Sequence, residues 1–160
     1  MKKTNAMRFL DRAKIDYTIL EYEHDENEVD GISVANKLKK NPDSVFKTLV
    51  LKGAHQYYVA LVPVQEHLDL KRTARTFNEK SLDMIAVKDL NAITGYVRGA
   101  CSPFAMKKEF PLVIDSKALG HTTIVMSSGA FGLQLEMDPK DFIIIRNALT
   151  DDITMTHSDS

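Results

Sequence analysis

Residues 45–52 and 56–64 form two strand-like runs, VFKTLVLK and QYYVALVPV, on either side of Gly53-Ala54-His55. Turn residues between two such runs read as a β-hairpin, and a hairpin needs further elements against its apolar face to be stable. At 160 residues the chain can build one core of useful size and not two. Everything else in the chain must therefore be organised around this hairpin within a single domain.

Lys47 is the exception within the first run. Successive side chains of a strand point to opposite faces, so Val45, Lys47, Leu49 and Leu51 share one side, apolar but for one ammonium. A bare buried ammonium is costly, so such a lysine snorkels to water, pairs with an anion or loses its charge. Periodicity alone favours an edge-strand lysine reaching solvent. The alternative is a pocket that receives an anionic or ester-bearing ligand.

Around the hairpin, Thr4 can cap a first helix carrying Met7 and Leu10 at helical spacing. Residues 17–23 alternate as a strand, 24–31 are an acidic loop, and 33–40 a short helix ended by Asn41-Pro42-Asp43. Asp69 caps a helix to Phe77, followed by a short apolar stretch at 82–87 and a helix or turn at 88–94. Residues 95–100 read as extended before a loop built on Ser102-Pro103. Strands follow at 111–115, 122–127 and 132–137. Asp138-Pro139 then starts a helix running to Leu149. Residues 150–160 are polar and read as a frayed tail, leaving 1–150 as the domain. Strands and helices are intermixed without strict βαβ alternation, so the class is α+β with a mixed sheet.

A net charge of -1 and a pI near 6.5 exclude a protein that coats nucleic acid through bulk positive charge. They leave room for a local basic patch that handles one end of a nucleic acid. One cysteine, Cys101, excludes an intramolecular disulfide and a cysteine-based metal cluster. None of the five histidines is paired at HExxH spacing or at ligand spacing from Cys101. The basic N-terminus is broken by charge every few residues, unlike a signal peptide, and no apolar run approaches membrane-spanning length. The expectation is a cytoplasmic protein that uses no metal or cofactor.

Cys101 invites a nucleophile reading, but no cysteine-hydrolase signature surrounds it, and a small buried thiol is the blander account. The loop Gly99-Ala100-Cys101-Ser102-Pro103-Phe104-Ala105 has a second use, because small residues let amides approach a carbonyl oxygen or phosphate. An ordinary tight turn has the same composition. Ser127-Ser128-Gly129, next to Gly132-Leu133-Gln134-Leu135-Glu136, could orient an amine or hydroxyl, or simply cap a turn. Lys71, Arg72, Arg75, Lys107 and Lys108 could touch phosphates, as solvated helix faces also can. No Ser-His-Asp order, P-loop, GxGxxG or carboxylate pair emerges, so an enzyme here would work by positioning and electrostatics.

The strand VFKTLV, the segment GYVRGACSPFAMKK, the following FPLVID and the later SSGAFGLQLEM occur in an order that resembles the YbaK-type aminoacyl-tRNA deacylases. These are relatives of the editing domain of bacterial prolyl-tRNA synthetases. The resemblance runs from about Thr4 to Leu149. It implies a single α+β domain with a mixed, barrel-like sheet flanked by helices. The implied activity is removal of a mischarged amino acid from tRNA, typically cysteine from tRNA(Pro), by ester hydrolysis or with help from the substrate's own thiol. The family's essential lysine falls on Lys47, followed by Thr48, and its pocket tyrosine on Tyr22. The glycine-rich loop falls on Gly99 and Ala100 with Ser102 after it, and the pocket serine on Ser127. Gln134 stands where some members have aspartate, losing a negative charge that could meet a substrate ammonium. Ala100 and Ala105 replace two glycines of the loop, with methyl groups expected to narrow the pocket or alter the approach of an amide. Ala130-Phe131 replaces a Lys-Arg pair. The implied partners are the aminoacylated 3′ end of tRNA and prolyl-tRNA synthetase. Two rival readings remain at this point: a non-catalytic module that binds aminoacyl-tRNA ends, and a hydrolase that uses Cys101.

Overall fold

A computed structural model of the chain describes residues 2–24 and 30–155. The loop expected at 24–31 lies, over residues 25–29, outside the described residues, as do residues 156–160 of the expected tail. The hairpin forms as β2 (Phe46–Lys52) and β3 (Tyr57–Pro63), antiparallel with Lys47 opposite Val62 and Thr48 opposite Leu61. β3 also pairs in parallel with β5 (Leu112–Asp115), and β5 in parallel with β8 (Leu149–Asp151). With β4 (Asp83–Met84) on the far side of β2, this makes a five-stranded mixed sheet in the order β4-β2-β3-β5-β8. A second, antiparallel sheet holds β1 (Thr18–Glu21), β7 (Leu133–Met137) and β6 (Ile124–Ser127), in that order. The two sheets touch where Val45 bridges Val125 in parallel. The architecture is α+β with a mixed sheet, and the barrel-like arrangement is two joined sheets without a closed ring among the described residues.

Helix starts follow the residues that can cap them. Thr4 Oγ1 accepts the Met7 amide at 3.2 Å to open α1 (Asn5–Arg12), and Asp69 Oδ1 accepts the Arg72 amide at 3.1 Å to open α3 (Leu70–Thr76). Asp138 with Pro139 starts α5 (Pro139–Arg146). This helix stops before Leu149 because Asn147 takes a left-handed conformation at φ 49°. α2 (Gly31–Leu38) begins earlier than its expected start, since Asp30 accepts the Ser33 amide, and Lys39 at φ 55° ends it.

The main core lies between the two sheets. Phe46, Leu61 and Ile114 of the large sheet meet Ile124, Met126 and Leu135 of the small one, closed by Met7, Leu10 and Phe142 from α1 and α5. The large sheet is covered on its other face as well, by Leu51, Tyr58, Val62 and Val113 packed with Ala74 and Ile153. Burial on both faces explains why β3 reads as an unbroken apolar run.

Two expectations need correction. Residues 95–100 are not extended: Gly95 and Gly99 have φ of 88° and 85°, Thr94 Oγ1 accepts the Tyr96 amide, and the Ala100 amide donates to the Val97 carbonyl, so the segment is a turn. The frayed tail expected from residue 150 is built in as far as Thr154. β8 extends the sheet, Ile153 is fully buried with its amide on Asp115 Oδ2, and Thr154 bridges Leu68. One buried isoleucine outweighs a polar local composition.

Candidate functional site

β2 lacks a continuous neighbour on one side. β4 pairs only with Leu51 and Lys52, and β6 meets the strand's start only at the Val45–Val125 bridge. Between these ends, residues 46–50 border a cavity of about 560 Å³. Bonds from the Val64 amide to the Val45 carbonyl and from the Gly53 amide to the Gln56 carbonyl set the alternation of the hairpin. Thus 47, 49 and 51 bond to β3, whereas Phe46, Thr48 and Val50 turn their peptide groups toward the gap. The Val50 carbonyl is taken by the Ile85 amide at 3.3 Å, which closes one end.

α2 closes another side. A Cβ on Gly31 would meet Val64 Cγ1 at 2.3 Å, so only glycine lets the start of this helix seat against the sheet seam. Ala35 packs with Val45, Val64 and Val125 below it. The wall is completed by Arg98, Gly99 and Cys101 from the loop after α4 (Leu90–Thr94), by Ser127 at the end of β6, and by Gln134 opposite it on β7.

The fold thus brings Lys47, Thr48, Gly99, Ser127 and Gln134, from four separate segments, to one cavity. Tyr22, Ala100 and Ser102 are not in its wall. Tyr22 follows β1, its amide bonded to the Gly132 carbonyl, while Ala100 and Ser102 are buried behind the loop. The Ala100 methyl therefore does not narrow the cavity. Ala105 sits at φ 58°, a left-handed position where glycine is the unstrained choice.

Lys47 is half-buried. Desolvation holds its ammonium below the ordinary lysine range, and Glu66 pulls the other way. Gln134 is 5% exposed, and its side-chain amide has no hydrogen-bond partner among the described residues. Thr48 Oγ1 is the one fully buried side-chain polar atom that lacks a partner among the described residues. Each unsatisfied buried polar group costs about 1–3 kcal/mol, and such costs are retained where a ligand completes the bonding. Ser127 Oγ accepts the Gly129 amide at 3.1 Å, so it does cap its turn, and its hydroxyl proton is left to donate.

The loop's amides are unequal. That of Ala100 is spent on Val97, whereas those of Gly99, Cys101 and Ser102 have no protein acceptor among the described residues. Cys101 is buried, and its thiol is pushed up to about 12 by desolvation, against a hydrogen bond with Thr94. So raised, the thiol stays protonated at neutral pH and is a poor nucleophile. Tyr96 donates its hydroxyl to the Phe104 carbonyl, and burial pushes this phenol up to about 12.

Sequence reasoning missed Arg98, Asp30 and Tyr96. Arg98 lies within the GYVRGACSPF segment and reaches the cavity only because the segment turns. Phe131, standing in place of a basic residue, stacks on His24 with ring centroids 5.4 Å apart. No group of histidine, cysteine, aspartate and glutamate among the described residues could hold a metal ion, and no helix among them is long and apolar enough to cross a membrane.

A model of the aminoacyl-tRNA editing domain matches residues 26–144. The chain is 38% identical over 154 residues to a protein of Enterococcus faecalis named "Putative Cys-tRNA(Pro)/Cys-tRNA(Cys) deacylase EbsC", covering 96% of this chain and 94% of that one. Two crystal structures share the fold. One, of a hypothetical protein, superposes with a TM-score of 0.85 at 17% identity, covering 92% of this chain and 97% of its own. The other, titled a "putative trans-editing enzyme for prolyl tRNA synthetase", gives 0.82 at 18% identity, covering 97% and 100%.

Proposed function

The chain belongs to the aminoacyl-tRNA editing-domain family, and on that premise we propose that it is a trans-acting deacylase that frees mischarged amino acids, cysteine foremost, from tRNA(Pro). The observation that carries this reading is the meeting of Lys47, Gly99, Ser127 and Gln134 at one cavity beside an open strand edge.

Lys47 acts as a positioning cation. Its ammonium draws the negatively charged end of the tRNA and favours negative charge developing at the ester. The free amides of Gly99 and Cys101 hold the carbonyl oxygen as it becomes an oxyanion. Water, or the thiol of a bound cysteine, attacks the carbonyl carbon. The ester C–O bond breaks, and the ribose hydroxyl leaves with the proton taken from the attacking group. Attack by water yields the free amino acid, and attack by the substrate's thiol yields a cyclic thioester.

Thr48, Ser127 and Gln134 shape the amino-acid end, with Tyr22, Ala100 and Ser102 supporting from outside the wall. Rejection of the bulkier proline is a matter of volume and of hydrogen bonds left unmet. Gln134 offers a neutral donor and acceptor, so recognition of the amine there relies on dipoles. The reaction as drawn needs no metal or cofactor. A net charge of -1 fits weak intrinsic tRNA affinity, with prolyl-tRNA synthetase delivering the substrate in the cytoplasm.

Single-turnover deacylation of a panel of mischarged tRNAs tests this, with wild type, Lys47→Ala and Cys101→Ala. Wild type should cleave at least one ester and Lys47→Ala should be severely slowed. No cleavage by wild type sinks the enzyme reading and leaves a binding module. Loss confined to Cys101→Ala moves the chemistry to that thiol. Full activity in Lys47→Ala refutes its role.

A further inference from the structure

Arg146, in the last turn of α5, is 5% exposed and lies outside the cavity wall. Its guanidinium donates through Nε to the Pro103 carbonyl at 2.8 Å and through Nη2 to the Phe110 carbonyl at 3.3 Å. Nη1 donates to Glu109 Oε1 at 2.7 Å, but the side chain of that glutamate is 68% exposed. Desolvation holds the guanidinium below the ordinary arginine range, with Glu109 pulling the other way. A buried ion is often matched or bettered in stability by a well-packed apolar residue. What an arginine supplies that an apolar side chain cannot is a rigid fork of donors. Here two arms of the fork rest on backbone carbonyls.

Those carbonyls belong to the loop that follows Gly99. Phe142, one turn earlier on α5, packs its ring edge-on against Phe104 with centroids 5.5 Å apart, so the same helix face holds the loop twice. Tyr96 takes the Phe104 carbonyl, next to the one that Arg146 takes. Ala105, at its left-handed φ of 58°, lies between the Pro103 and Phe110 anchors.

Ser102 alone separates Pro103 from Cys101, which borders the cavity and whose amide has no protein acceptor among the described residues. The proline ring fixes φ at 103, and a residue before proline is confined to extended conformations. Ser102 is pinned further by the Phe104 amide, which donates to its Oγ at 3.3 Å. With so little slack, the peptide plane held at Pro103 sets the direction of the Cys101 amide.

We propose that Arg146 is a positioning residue for deacylation, holding the Pro103 and Phe110 carbonyls so that the loop presents its free amides to the ester carbonyl oxygen. The proposal rests on the deacylase reading. It adds a residue that touches neither substrate nor cavity and acts only through the backbone.

Donors aimed at an oxyanion act in the transition state, so their misplacement lowers kcat and leaves KM alone. A fall in stability alone would not give that split. The test measures kcat and KM on a mischarged tRNA that wild type cleaves, with thermal unfolding run alongside to show that each variant is folded. Arg146→Met should lose about tenfold or more in kcat at unchanged KM, since small displacements of positioned groups cost that much. Arg146→Lys, which keeps the charge and loses the fork, should lose less but still fall below wild type. Glu109→Gln should keep the wild-type rate, because the carbonyl bonds survive it. A wild-type kcat in either Arg146 variant, or a loss confined to KM, would overturn the role. So would a Glu109→Gln loss equal to that of Arg146→Met, which would place the effect on the ion pair. Should Arg146→Met fail to fold, Arg146→Lys decides by the same criteria. If wild type cleaves no mischarged tRNA, the deacylase reading falls and takes this role with it, an outcome seen before any variant is made.

Discussion

The ring of Tyr96 rests on Gly129 so closely that a Cβ on residue 129 would stand 2.6 Å from Tyr96 Cε1. The same tyrosine's hydroxyl donates to the Phe104 carbonyl. One side chain therefore joins the loop after Gly99 to the turn after Ser127, the two segments that face each other across the cavity. Gly129 also has φ 93°, where a side chain is strained. Gly129→Ala should lose about 2 kcal/mol of stability from strain and clash together. It should also lower kcat/KM for deacylation by displacing Tyr96. Thermal unfolding and single-turnover rates check the two effects, and an unchanged rate would show that the loop does not depend on this contact.

Lys47→Met should separate stability from activity. Replacing a half-buried ammonium removes a desolvation cost, so the melting temperature should rise by about 2–4 °C near neutral pH, the shift that ~1 kcal/mol produces in a chain of this size. Deacylation should fall at least tenfold, in the range found for lost electrostatic stabilisation of an oxyanion.

The pH dependence of wild type follows from the sign of that shift. Lys47 in the folded chain lies below the ordinary lysine value, so the unfolded chain binds its proton more readily. The penalty is complete below the folded value and is relieved as pH rises from it toward the unfolded value. Wild type should therefore gain on Lys47→Met in denaturant titrations as pH increases. Activity should decline with pH before an ordinary lysine would deprotonate.

Cys101 should be inert. A buried thiol pushed up to about 12 is almost wholly protonated at neutral pH, so iodoacetamide should label the native chain far more slowly than the denatured one. Cys101→Ala should retain deacylation, and rapid native labelling coupled to inactivation would contradict this.

Ala105 occupies a left-handed position at φ 58°, where the resembling loops have glycine. Ala105→Gly should raise stability by about 0.5–1 kcal/mol, the strain relieved exceeding the entropy that glycine adds to the unfolded chain. A destabilised variant in chemical denaturation would show that the loop carries no strain there.

Ile153 is fully buried among Leu51, Val62 and Val113, beyond the point where the local sequence turns polar. Ile153→Ala should cost about 3 kcal/mol. Urea titration measures it, and a cost below 1 kcal/mol would return residues 150–155 to the status of a tail.

By itself the sequence determined the hairpin, the capped helix starts at Thr4, Asp69 and Asp138, and the α+β class, because these depend on alternation, capping and turn chemistry within a few residues. Its ordered motifs also pointed to the editing family, since they span nearly the whole chain. Periodicity alone left Lys47 as a snorkelling surface lysine, and it had to do so. Whether a strand's edge is open depends on which other strands lie beside it, and local spacing carries no record of that. Only the tertiary structure decided that β4 and β6 stop short of each other along β2, leaving a gap for Lys47 and Thr48 to border. The same long-range packing turned residues 95–100 back so that Arg98 and Gly99 reach the cavity. It kept Tyr22 and Ala100 out of the wall and drew Ile153 into the core. Burial and adjacency are properties of segments distant in the chain, so the sequence named the candidates and the packing determined which of them meet.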